Sequence, residues 1–219
     1  MVVAAAVIFI IYVGCFIAYR KSFNTRLNII VFDAEKSNAA EYLEEVVPDY
    51  LEFGKKDVLA VDDSMSLNKN FSGTYNEPDT ESMTATAEES GSTQDETVST
   101  EDSIDMVVKM KVTSMGLSNS IDIVIGDEKC FTGFACESGL VLDVTEYLPD
   151  DIYELVKDDL IYGINSDGEE KAVAIKVPEE FAEKLGLSYE PYVSIGSSTN
   201  NEQDSVNFIR MIYGLDYAA

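Results

Sequence analysis

The sequence predicts an α/β fold, a mostly parallel sheet flanked by helices, on three observations. Ile121, Ile123, Val124 and Ile125 form a short β-branched run ended by Gly126, which suits a central parallel strand buried on both faces. Just after it, Phe131, Phe134 and Ala135 recur at i, i+3 and i+4, one face of a helix over 128–137, with Asp127 as its cap and Gly139 just past its end. Upstream, two apolar runs at 27–32 and 57–61 bracket a helical pattern, and strand, helix, strand is the opening of a parallel sheet with a right-handed crossover.

In chain order, residues 1–18 are apolar apart from Tyr12, Gly14 and Cys15, and 18 helical residues span about 27 Å, close to a bilayer core. Tyr19, Arg20 and Lys21 mark an interface, so 1–19 reads as one N-terminal transmembrane helix and 20–26 as a juxtamembrane linker. An uncleaved anchor, a cleaved secretory signal and a lipoprotein leader ending at Cys15 compete. The anchor fits best: no A-x-A-like site follows the run, and Tyr12 stands where a lipobox carries a leucine-like residue. Arg20, Lys21 and Arg26 follow the run and no basic residue precedes it, which by the positive-inside rule turns the soluble domain toward the cytoplasm. A run that starts at Met1 without a charged flank points to further basic residues upstream, and the gene sequence before Met1 tests this.

Strand 27–32 ends at Asp33. Ser37 then caps a helix in which Ala40, Leu43, Val46, Val47 and Leu51 recur at helical spacing, and Pro48 predicts a kink or a break into two pieces. After the strand at 57–61, residues 66–101 turn to Ser, Thr, Glu, Asp, Asn and Gly, predicting a disordered acidic insertion. The single α/β domain is thus expected over 27–65 and 102–216. Ile104, Val107 and Val108 suit a helix capped by Ser103, although the valines leave a strand open, and Gly116 with Asn119 ends it. Residues 149–160 read as a helix. Strands at 160–165 and 171–177 are joined into a hairpin by Ser166, Asp167 and Gly168. A short helix at 178–185 opens with proline, a last strand runs over 192–196, and Ser198 to Asn201 cap a closing helix through Ile209, Ile212 and Leu215.

Composition narrows the function. A net charge of −26, from 41 acidic against 15 basic residues, repels a polyanion, so no nucleic-acid partner is expected; solubility outside a cell explains the acidity. Histidine is absent, which removes Ser-His-Asp and Cys-His nucleophilic sites and the usual zinc sets. Cys15 lies in the leader. On a helix, Cys130 and Cys136 would stand about 120° and about 9 Å apart, beyond the ~7 Å a disulfide bridges, so two free, partly buried thiols are expected.

In an open α/β sheet, ligands bind beyond the carboxyl ends of the strands, where the strand order switches. Four such ends supply the candidate ligand-binding residues: Asp33 with Glu35; Asp62, Asp63 and Ser64; Asp127 after Gly126; and Ser197 with Ser198 after Gly196. Their hydroxyls and carboxylates are groups that hold a small polar solute such as a sugar or a polyamine. Asp62, Asp63 and the turn at 165–169 offer oxygens to calcium without the spacing of an EF-hand loop, and no metal or cofactor is expected. The match of Ser66 and Lys69 to S-x-x-K lacks its S-D-N and K-T-G companions, and a carboxylate pair among 41 acids carries little toward a glycosidase. No catalytic residue is assigned and no enzyme is expected.

Asp122, Gly126 and Asp127, then Gly139, Leu140, Leu142, Asp143, Thr145, Tyr147, Leu148 and Pro149, form a phrase that resembles the extracellular solute-binding proteins of bacterial ABC transporters. The likeness extends more weakly over 27–63 and 102–214. It implies one lobe of a periplasmic-binding-protein fold at the cell membrane, single-pass, with the soluble domain extracytoplasmic. It also implies a small polar solute, or a transporter or other membrane-protein partner. Once the leader and the acidic stretch are set aside, 219 residues leave room for one lobe only. The second lobe would depart near Val177, where only the short link 178–191 stands. The expected function is a membrane-anchored, non-catalytic, solute-binding-like domain; the alternative is a scaffold or assembly protein with no small-molecule ligand.

Overall fold

The computed structural model describes residues 23–67, 106–117 and 121–218. Strands β1 (Asn24–Phe32), β2 (Asp57–Met65), β3 (Ile123–Gly126), β4 (Leu160–Ile164), β5 (Glu170–Lys176) and β6 (Tyr192–Ile195) form one sheet in the order β2-β1-β3-β6-β5-β4. The fold is α/β, but the sheet is mixed. β1 runs parallel to β2 and β3, whereas β3–β6, β5–β6 and β4–β5 are antiparallel pairs, which corrects the mostly parallel sheet expected from the sequence.

Chain lengths explain the difference. β4 and β5 are joined by the tight turn at 165–168, in which Asn165 donates its N–H to the Glu169 carbonyl and Gly168 takes φ 81°. That geometry forces an antiparallel hairpin. The link from β5 to β6 contains only the seven-residue helix α4 (Glu179–Leu185), about 10 Å long, while β5 with its seven residues extends about 23 Å. The link closes on itself, with the Val177 N–H donating to the Pro191 carbonyl at 2.9 Å. β6 therefore re-enters from the end where β5 left.

Two apolar layers cover the sheet. On one face α1 (Ala39–Tyr50), α3 (Asp150–Val156), α4 and α5 (Glu202–Ile212) bury Leu43, Ile152, Leu185 and Ile209 against Ile29, Val31, Ile123, Ile125 and Val193. On the other, α2 (Met106–Leu117) and the helical segment 128–137 bury Val112, Phe131 and Phe134 against Ile30, Phe32 and Val124. Ile29 and Ile30 thus face opposite layers from adjacent positions, and each buried aliphatic contributes roughly 1.5–3 kcal/mol. β1 and β3 are buried on both sides because both layers cross them.

Pro48 does not divide α1. It lies in the last turn, where its missing N–H costs one bond before the helix ends at Tyr50. Within 128–137 the stretch Cys130–Ala135 is π-helical, a winding that the i, i+3, i+4 pattern does not reveal. Cys130 and Cys136 are free and buried, as the spacing required. α2 ends at Leu117, one residue after Gly116, and both Asn119 and Ser103 fall outside the described residues. So do the expected membrane helix at 1–19 and all of the acidic stretch 66–101 except Ser66 and Leu67. Among the described residues no helix is long and apolar enough to cross a membrane.

Candidate functional site

At the carboxyl ends of β1, β2 and β3 the expected residues serve the turns they sit in. Asp33, at φ 51°, accepts hydrogen bonds from the Ser66 hydroxyl and from the Leu67 N–H at 3.0 Å, closing the ends of β1 and β2 together. Asp62 accepts from the Ser64 hydroxyl at 2.6 Å and the Ser64 N–H at 3.1 Å, and pairs with Lys111 of α2 at 2.7 Å. Burial pushes the Asp62 carboxyl up, but the hydrogen bonds from Lys111 and Ser64 outweigh it and hold the group below the usual carboxylate range. Asp127 accepts from the Cys130 N–H at 2.7 Å, capping the helical segment as its position in the sequence predicts. Glu35 and Asp63 point into solvent.

Asp33 and Asp127 do come together, around Tyr189. Its hydroxyl donates to the Phe32 carbonyl at 2.6 Å, and burial, then the charge of the neighbouring groups, pushes its pKa far up. Burial likewise drives the Cys130 thiol well up, with Asp127 and Asp33 adding to the shift. Both groups stay protonated and neither is an activated nucleophile.

Ser197 and Ser198 are not part of this end. Because β6 is antiparallel, Ile195 pairs with Ile123, and the residues after it emerge at the opposite end of the sheet, beside the start of β3. There Ser197 donates to the Gly139 carbonyl at 2.6 Å and Ser198 to the Ile121 carbonyl at 3.5 Å. The crevice that would have joined all four strand ends does not form.

That opposite end holds a polar network the sequence did not mark. Asp122, 2% exposed, accepts from the Asn28 N–H at 2.8 Å, the Thr199 hydroxyl at 2.6 Å and the Asn201 side-chain amide at 3.2 Å. Nearby, Arg26 binds Asp204 through two nitrogens at 2.9 and 2.5 Å, donates to the Leu51 carbonyl at 3.1 Å and lies 4.9 Å over the Phe53 ring. These are structural ties: every carboxylate in them already has its donors. The only hint in the sequence was an acid, Asp122, inside an otherwise aliphatic run.

A concavity of another kind lies elsewhere, a groove of 1080 Å³ between α1, α4 and the end of α5. Tyr42 and Phe181 meet edge to face on its wall, ring centroids 5.5 Å apart. Tyr50 and Tyr213 turn their hydroxyls into the protein, donating to the Leu215 carbonyl at 2.8 Å and the Lys176 carbonyl at 2.6 Å, so their ring edges and faces are what they offer. Burial pushes both phenols up. Lys184 and Lys176 are engaged with Glu180 at 2.9 Å and Glu190 at 2.6 Å, and these hydrogen bonds raise both amines further into the protonated range. Glu45, Asp49, Asp159 and Glu179 form no ion pair among the described residues. Aromatic walls under carboxylates without an ion pair can hold a cation by charge and by ring quadrupole.

Among the described residues no group of three or more Cys, Asp or Glu side chains is arranged to hold a metal ion. No protein family, curated protein or solved structure matches the chain.

Proposed function

We propose that this chain is a membrane-anchored, non-catalytic binding domain, its folded part outside the cytoplasm, that holds a small amine-bearing solute in the groove between α1, α4 and α5. The observation that carries the reading is the make-up of that groove: aromatic walls, four carboxylates without ion pairs among the described residues, and two lysines already engaged. The candidate residues at the strand ends favour it indirectly, since most of them are occupied as caps and turn ties. The anchor rests on the apolar run 1–18, and the extracytoplasmic placement on the resemblance to solute-binding proteins, which also makes a membrane transporter the natural recipient of the solute.

Isothermal titration calorimetry of the full chain in detergent, against putrescine, spermidine and arginine with glucose and glutamate as controls, tests this. The expected result is saturable heat for the amines alone, weakened by added salt and by the pair Glu45→Gln and Asp49→Asn. Saturable heat for glucose but not for amines would move the ligand to a sugar. No heat across the panel would remove the groove as a solute site.

A further inference from the structure

The sheet has two outer strands, and they are guarded differently. β2 carries Asp57, Asp62 and Asp63, and Lys111 of α2 reaches across to Asp62. Charges and cover of this kind keep an edge from pairing with another chain. β4, with the sequence LIYGI, has no charge and no proline. Its Tyr162 and Ile164 are 53% and 62% exposed, although they sit in a strand of the main sheet.

We propose that the edge of β4, unpaired among the described residues, receives an extended, lysine- or arginine-bearing segment of a partner protein as an added strand. Asn165 pairs with Glu169 inside the hairpin, so by the two-residue alternation of an antiparallel ladder Gly163 faces β5, while Tyr162 and Ile164 turn their N–H and C=O groups outward. The register shift lies between Ile161 and Tyr162, and beyond it Tyr162, Gly163 and Ile164 pair in unbroken register with Ala172, Lys171 and Glu170. An added strand would find donors and acceptors there, and its successive side chains would point to opposite faces of the sheet.

Each face has a depression ready for them. On the α3 side, Tyr162 and Tyr153 stand beside Asp143, Asp150 and Glu170 in a hollow of 390 Å³. On the other side, Thr132 and Glu137 stand across from Gly163 in one of 810 Å³. Neither is lined by lysine or arginine. The apolar rings suit the stems of long basic side chains and the carboxylates suit their heads. The same charge distribution disfavours a second copy of this chain, whose own acids would meet these across the seam. This surface is separate from the groove and does not depend on it.

The test uses the full chain in detergent and three fluorescent decapeptides: one alternating lysine and valine, the same peptide N-methylated at every second residue, and one with glutamate for lysine. The first should bind saturably and slow hydrogen exchange at the Tyr162 and Ile164 amides. N-methylation should abolish binding, the glutamate peptide should not bind, and Ile164→Lys should weaken the first peptide about tenfold by placing a like charge at the edge. Asp49→Asn in the groove should leave it unchanged. Equal binding of the N-methylated peptide would overturn strand addition. A concentration-dependent dimer lost on Ile164→Lys would assign the edge to a second copy and overturn the basic partner, as would the absence of binding by the lysine peptide.

Discussion

Acidic side chains accept hydrogen bonds at both ends of the sheet, but they differ in how far along the chain they reach. At the carboxyl end Asp62 holds a residue two positions on and Asp127 one three positions on. At the opposite end Asp122 gathers groups 94, 77 and 79 residues away, and Arg26 and Asp204 are 178 apart. A short tie shapes one turn or one helix start, and exists as soon as that element does. A long tie exists only in the assembled sheet, so its loss is charged to the whole fold. The carboxyl end has longer reaches too, Leu67 to Asp33 across 34 positions and Lys111 to Asp62, but they engage partly exposed carboxylates, whereas Asp122 is buried with all its donors.

The largest effect should come from Asp122→Ala. It strands the Asn28 N–H, the Thr199 hydroxyl and the Asn201 amide in a buried site, at an expected cost of about 3 kcal/mol. Urea unfolding of the full chain in detergent measures it, and a loss under about 1 kcal/mol would erase the contrast between the two ends. Asp122→Asn should fall between, because an amide keeps one acceptor oxygen and turns its nitrogen toward remaining donors. Gly196→Ala probes the same end by packing. A Cβ there would collide with the Ile121 carbonyl oxygen, backbone that cannot yield cheaply, and about 2 kcal/mol should be lost. Gly133→Ala, where a Cβ meets nothing within 4 Å, should cost nothing and serves as the control.

The same difference in reach decides what could be read from the sequence. β1, β3 and the hairpin were legible because apolar runs and the Ser166, Asp167, Gly168 turn are local signals. Asp127 was legible as a cap for the same reason. The direction of β6 was not, since it depends on the two ends of the 177–191 link meeting at Val177 and Pro191, a contact between distant positions rather than a pattern within one element. Once β6 is reversed, Ser197 and Ser198 change ends, and the candidate site built on four strand ends loses one of them. Asp122, Thr199 and Asn201 meet only through that reversed strand, so nothing in their own neighbourhoods announced the network. The groove escaped notice similarly: Tyr42, Phe181 and Tyr213 belong to three distant helical segments.

A local tie should fail locally. Asp127→Ala removes the acceptor for the Cys130 N–H and should cost about 1 kcal/mol. Hydrogen exchange should quicken over 128–137 while β1 and β6 stay protected. Faster exchange throughout the sheet would show that Asp127 supports more than its own helix.

The smallest effect belongs to Asp62 and depends on pH. Its folded pKa is lowered, so its contribution is present above the unfolded value near 4 and disappears as pH falls through the folded value. Asp62 and Lys111 are both partly exposed, which limits the pair to roughly 0.5 kcal/mol and makes it sensitive to salt. The stability gap between the native chain and Asp62→Asn should therefore be constant from pH 8 to about 5, close below about pH 4, and shrink in 1 M salt at every pH. A gap that widens on acidification would reverse the sign of the coupling, and Lys111 could not then be the group that holds this carboxylate ionised. A gap as large as that of Asp122→Ala would make the carboxyl end as structural as the other, and the division of labour between the two ends would fail.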